Sequence, residues 1–283
     1  MTHPGQLLKQ EKLFAGKEMG QNFLSSPPTA RMIVDRTGIS ADSRVLEIGP
    51  GLGALTIPIA EKTRQVVVVE KDRRLIPLLR QELENHDIDW VEILNSDVMK
   101  TDIAAVAEDK KLVVISNLPY NISSQILFRL VQERVYIEKA FLMFQKELAD
   151  RILASPGKKA YSRLSAVARY AADIECVAHV GPAAFFPRPV VESTVLGFDF
   201  HTGSDVSRTT ESLLFTVIKA AFSKRRKSLK NSLVGQDLGL HKHAIAQALS
   251  CAKISPERRA ETLTVDEFLS LTRAVQPLLQ EAL

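Results

Sequence analysis

From Arg44 to Phe144 short apolar runs alternate with helix-length segments. Arg44-Val-Leu-Glu-Ile-Gly49 reads as a strand, and Val66-Val-Val-Val-Glu70 is continuous rather than alternating. Trp90–Leu94, Leu112–Ser116 and Lys139–Phe144 follow the same pattern. Continuous apolar strands with helices between them predict a parallel sheet covered on both faces. The intervening segments carry a helical period. Ile126, Leu127, Leu130 and Val131 share one face after the start signal Ser123-Ser124. Leu75, Leu79 and Leu83 form a second stripe, interrupted by Pro77. Proline is easy only in a first turn, so this helix starts late or is kinked.

After Phe200 the pattern changes. His201-Thr-Gly-Ser-Asp205 is a polar link, and Leu213, Val217 and Ala221 then repeat at helical spacing beside Leu214 and Ile218. Thr264-Val-Asp-Glu267 fits a capping box, with Leu263 and Phe268 placed as a hydrophobic staple. The pattern divides the chain into a doubly wound α/β domain, residues 1–203, and a small C-terminal helical domain, residues 204–283.

Composition narrows the class without choosing the chemistry. The 283 residues are 45% hydrophobic and 25% charged, which fits folded domains and excludes wholesale disorder. No apolar run approaches the ~18 residues of a membrane helix, and the first twenty positions carry no secretory signal pattern. Cys176 and Cys251 form no framework or zinc-ribbon spacing, so a reducing cytoplasmic setting is expected. The net charge of +4 permits a polyanionic partner.

Glu47-Ile-Gly49-Pro-Gly51-Leu-Gly53-Ala54 lies between the first strand and a helix, where glycines permit a tight turn and close approach of a ligand to the backbone. Gly49, Gly51 and Ala54 also satisfy the dinucleotide fingerprint. Glu70, at the end of the second strand, can accept both hydroxyls of a ribose. This suits either a nicotinamide cofactor or S-adenosylmethionine. Asp97, after the third strand, could accept the protons of an adenine amine or simply cap a turn.

The fourth strand ends in Asn117-Leu118-Pro119-Tyr120. An exocyclic amine of a nucleobase is a poor nucleophile because its lone pair is delocalised into the ring. Acceptance of its protons by the Asn117 side-chain oxygen and the Leu118 carbonyl favours a pyramidal nitrogen. Pro119 restricts Leu118 to extended backbone, which aims that carbonyl. Tyr120 offers a ring for an unpaired base, worth ~1–3 kcal/mol. His241-Lys-His243 lacks a third ligand and reads as surface, so no metal is expected.

Gly20-Gln-Asn-Phe-Leu24, the glycine turn, Asn117-Leu-Pro-Tyr-Asn-Ile-Ser123, Gln145-Lys-Glu147, Phe185-Phe-Pro-Arg-Pro-Val-Val-Glu-Ser193, Ala221–Leu233 and Arg259-Ala-Glu261 stand in this order. Together they resemble the ribosomal RNA adenine dimethyltransferase family, most closely its bacterial small-subunit branch linked to kasugamycin sensitivity. The resemblance implies a seven-stranded, mostly parallel, Rossmann-like methyltransferase sheet. It implies S-adenosylmethionine-dependent dimethylation of N6 on two adjacent adenines near the 3′ end of 16S rRNA, with the immature small subunit as partner of a monomeric enzyme. Asn22, Leu24, Gly49, Gly51, Glu70, Asp97 and Asn117 match cofactor-binding positions, and Tyr120 and Phe185 match an aromatic pair that sandwiches the target base. The chain departs from the family pattern before Ser193, with Val190, Val191 and Glu192 where lysine, valine and aspartate are usual.

Lys219–Lys230 holds six basic residues and no acid. Beside an RNA-modifying site, Lys224, Arg225, Arg226, Lys227 and Lys230 are candidates for phosphate contact. Three other readings share parts of these motifs. A large-subunit rRNA methyltransferase of the macrolide-resistance type would keep the glycine turn and the Asn117 motif. A nicotinamide oxidoreductase would need a proton-relay residue where Asn117–Tyr120 stands. A ribosome-assembly factor would use methylation only as a late signal.

Overall fold

The structure, a computed structural model, describes residues 1–13, 21–201, 206–224, 226–235 and 237–280. Seven strands form one sheet: β1 (Arg44–Ile48), β2 (Val66–Glu70), β3 (Glu92–Asn95), β4 (Leu112–Asn117), β5 (Ile137–Gln145), β6 (Ala172–Val180) and β7 (Ser193–Phe200). Their order is β3-β2-β1-β4-β5-β7-β6. The first five are parallel, and β7 runs antiparallel to both β5 and β6. Val45, Leu46, Val68 and Val114 are completely buried, as continuous apolar strands in a two-sided sheet should be. β3 is an edge strand with no fully buried residue, and it begins two positions later than Trp90.

The helices start where local chemistry allows. Ser26 caps Pro27–Thr37 by accepting from the Thr29 amide, and Gly38, at φ +68°, ends it in the left-handed conformation. Pro77 lies in the first turn of Ile76–Glu84, so the late start is the outcome and no proline interrupts the helix interior. Ser123–Gln132 buries Ile126, Leu127, Leu130 and Val131 against the sheet side of the domain.

The chain divides into two compact units, Met1–Ala149 with Ala172–Thr202, and Asp150–Ala171 with Gly203–Leu283. The change of pattern after Phe200 marks the second entry into the helical unit. The first entry, Asp150–Ala171, was placed by sequence pattern in the α/β domain, because a helix after a strand is what a doubly wound fold repeats. Within the helical unit, Leu214, Val217, Leu249, Phe268, Leu271 and Val275 are fully buried. The capping box is reciprocal: the Glu267 amide donates to Thr264 Oγ1 at 3.2 Å, and the Thr264 amide donates to Glu267 Oε2 at 2.9 Å. Among the described residues no helix is long and apolar enough to cross a membrane.

The candidate active site

The strand order reverses between β1 and β4, and in open α/β sheets ligands bind at the carboxyl ends beside such a reversal. A cavity of about 240 Å³ lies there. The Ser116 hydroxyl, near the end of β4, donates to the Ile48 carbonyl at 2.6 Å and fixes the two strand ends against each other. Gly49, Gly51 and Gly53 all have positive φ, at +67°, +57° and +86°. A Cβ on Gly51 would meet the Phe23 ring at 3.0 Å, whereas one on Gly49 would point into open space.

Four carboxyl side chains line the cavity: Glu47, Glu70, Asp72 and Asp97. Glu70 accepts the Gly51 amide at Oε2, 3.1 Å, and the Asp72 amide at Oε1, 2.7 Å. These bonds lock the carboxylate to the glycine turn. Burial pushes its pKa above the ordinary range, although the two amides oppose the shift. Asp72 is held low by the Arg74 guanidinium, which it accepts through both oxygens at 2.9 and 2.8 Å, and it also accepts the Gln21 side chain at 3.1 Å. Asp97 answers to both sequence readings. Its Oδ1 accepts the Met99 amide at 2.9 Å, a turn cap, while it also lines the cavity. Its Oδ2 pairs with the Lys71 ammonium at 2.8 Å, and this partner lowers its pKa.

Glu47 was quoted in the motif without a role. It is 2% exposed, accepts the Thr56 hydroxyl at 2.6 Å, and has its pKa raised to about 8 by burial, with Glu70 nearby adding to the shift. A glutamate inside the apolar strand Val45-Leu-Glu-Ile48 was the available signal. Asp72, Lys71 and Gln21 were missed as well, since they lie beyond the strand end and before the Asn22 motif.

Asn117 and Asn22 meet at the cavity. Asn117 Nδ2 donates to the Asn22 carbonyl at 2.9 Å. A carbonyl can only accept, so this bond fixes which end of the amide is nitrogen and leaves Oδ1 as the acceptor for other groups. Leu24, Leu118, Pro119 and Tyr120 also line the cavity. Tyr120 is anchored through its hydroxyl to Ser193 Oγ at 2.9 Å, and burial raises its pKa.

The aromatic pair is not assembled as expected. Phe185 is 4% exposed and lies in the apolar core with Leu24, its partner in the antiparallel ribbon Phe23–Leu24 with Phe185–Phe186. It is absent from the cavity lining. The ribbon places Leu24 and Phe185 on one side, towards the core. Phe186 packs on the other cluster with Phe23, its ring edge-on to His3 at a centroid distance of 5.5 Å.

The basic run is not one helix face. Helix Arg208–Ala221 ends before it, and Leu229–Ser232 begins after a turn. Lys224 donates to the Asn231 carbonyl at 3.0 Å, and Lys230 pairs with Glu257. Arg226 and Lys227 are exposed, and Arg225 lies outside the described residues. His241 and His243 are exposed, and among the described residues no group of three or more His, Cys, Asp or Glu could hold a metal.

Comparison with known proteins agrees with this geometry. A model of the ribosomal RNA adenine dimethylase family matches residues 14–276. The small-subunit rRNA methyltransferase A of Desulforapulum autotrophicum is 52% identical, over 97% of each chain. A solved dimethyladenosine transferase from Plasmodium falciparum superposes with a TM-score of 0.73 at 26% identity, covering 88% of this chain and 95% of that one. The 23S rRNA methyltransferase ErmE superposes at 0.66 with 24% identity, over 90% of this chain and all of that one, a likeness of fold. The glycine turn, the oriented Asn117 amide and these matches together place the chain in the ribosomal RNA adenine dimethylase family.

Proposed function

We propose that this methyltransferase transfers methyl groups from S-adenosylmethionine to N6 of adenine in small-subunit rRNA, ending at N6,N6-dimethyladenine. The targets are two adjacent adenines near the 3′ end of 16S rRNA. The substrate particle is the immature small subunit, met in the cytoplasm by a monomeric enzyme. The observation that carries the reading is the Asn117 amide, held by the Asn22 carbonyl with its oxygen left as acceptor at the mouth of a carboxylate-lined cavity.

The donor set fits the cofactor. S-adenosylmethionine carries a sulfonium and an ammonium, and a cavity with four carboxyl groups suits a cationic ligand. When bound, it supplies a methyl electrophile that needs no metal or further activation. Glu70 still has lone pairs for ribose hydroxyls beyond its two amide donors. Asp97 serves as acceptor for the adenine amine, and Asn22, Leu24, Gly49 and Gly51 form the walls.

The chain's own task is to position the target amine. Asn117 Oδ1 and the Leu118 carbonyl accept its protons, and those bonds strengthen as the nitrogen becomes pyramidal. Tyr120, tethered by Ser193, presents its ring to the base. Phe185 can act as a second wall only if the base or the Pro187–Glu192 segment uncovers it. The methylated amine releases its proton to water, so no general base is required.

The test is calorimetry with S-adenosylmethionine. Glu70→Ala should weaken binding by ~1.5–3 kcal/mol, the range for bonds to a charged acceptor. Affinity unchanged from the native protein would remove Glu70 from the cofactor site.

A further inference from the structure

Cys176 and His179 lie on β6, an edge strand, and both are exposed. In a regular strand, side chains three positions apart point to opposite faces. Here the register slips: Cys176 stands opposite Leu196 and Ala178 opposite Val195, so Val177 is an extra residue. That bulge returns His179 to the face of Cys176, opposite Thr194. The Cys176 sulfur is 3.6 Å from His179 Nε2, and His179 Nδ1 is 3.2 Å from the Thr194 hydroxyl. Thr194 is 2% exposed, so the group that orients the imidazole is fixed in the sheet. Glu192 faces His179 from the segment before β7 and is itself paired with Lys146 at 2.9 Å. Neither Cys176 nor His179 lines the cavity, and the methyl-transfer reading gives them no task.

We propose that Cys176 is a nucleophilic thiol served by His179, and that it is a covalent modification site for small-molecule disulfides. A thiol beside an oriented imidazole has the arrangement of an activated cysteine: nucleophile, base, and a third group that holds the base. His179 Nε2 takes the thiol proton, and the Cys176 sulfur attacks one sulfur of a disulfide RSSR. The new Cys176–SR bond forms as the RS–SR bond breaks, and the departing thiolate takes up the proton from the imidazolium. The disulfide is the oxidant, and one thiol leaves for each residue modified. While charged, the ring donates through Nδ1 to the Thr194 oxygen.

The chain contains its own control. Cys251 is also exposed, and among the described residues no imidazole pairs with it. The intact protein is treated with limiting dithiobis(nitrobenzoate), release of nitrothiobenzoate is followed, and the modified cysteine is located by peptide mass mapping. Cys176 should react roughly tenfold or more faster than Cys251, the scale on which a positioned base acts. His179→Gln should abolish that preference while the Cys251 rate, which reports a folded helical unit, stays as in the native chain. Equal rates at the two cysteines of the native protein would overturn the proposal. So would a Cys176 rate that His179→Gln leaves unchanged.

Discussion

A single buried carboxyl, Glu47, gives the sharpest residue-level test of the site's electrostatics. Its folded-state pKa is about 8 against an ordinary 4.5, because burial disfavours the charged form. A carboxyl raised in this way binds its proton more tightly folded than unfolded. Stability from Glu47 is therefore present in full below about pH 4.5 and declines as pH rises towards 8. Glu47→Gln keeps an acceptor for the Thr56 hydroxyl and removes the ionisation. Thermal denaturation should show a higher Tm than the native protein near pH 8, and a smaller difference near pH 5. Equal Tm at both pH values would mean that Glu47 is paired with a cation or reached by water. What the sequence made legible at this scale was the identity of strand-end residues: Asn117, Glu70 and Asp97 all reach the cavity lining. It could not show their partners. The Asn22 carbonyl that orients Asn117 lies 95 positions away, and Lys71 occupies an Asp97 oxygen across a fold-made gap.

Among the elements, the glycine turn couples fold and site most tightly. Gly51 has φ +57°, its amide binds Glu70, and its missing side chain makes room for the Phe23 ring. Gly51→Ala should lower stability by ~1–2 kcal/mol from the left-handed backbone alone, with a further loss as Phe23 gives way. Chemical denaturation measures the first effect, and titration with S-adenosylmethionine should show weaker binding as Glu70 shifts. A stable protein with native affinity would mean that the turn has another conformation in solution. The strands and the Ile76–Glu84 helix were readable because apolar runs and Pro77 act locally. The Phe185 placement was not, since it depends on pairing with Leu24, 161 positions earlier. The Asp150–Ala171 excursion was equally hidden, because its helical pattern fits either unit.

At the scale of the whole molecule, recognition and chemistry separate. Arg226 and Lys227 are exposed in the turn after Ala221, whereas Lys224 and Lys230 hold partners in their own chain. Replacing Arg226 and Lys227 with glutamate should weaken binding to the immature small subunit or its rRNA. The slope of log affinity against log salt should become shallower by roughly 1.5–2, at ~0.7–0.9 per phosphate contact. Cofactor affinity should not follow, and an unchanged salt slope would place the RNA surface elsewhere. The central claim, methyl transfer to an adenine amine aligned by Asn117, is tested most directly by the product. Immature small subunits are incubated with labelled S-adenosylmethionine and either the native chain or Asn117→Ala, and the rRNA nucleosides are analysed by mass. The native chain should yield N6,N6-dimethyladenine, with the monomethyl form as an intermediate, and Asn117→Ala should lose turnover far more than RNA affinity. No label in adenine, monomethyladenine alone at long times, or full turnover by Asn117→Ala would contradict the account.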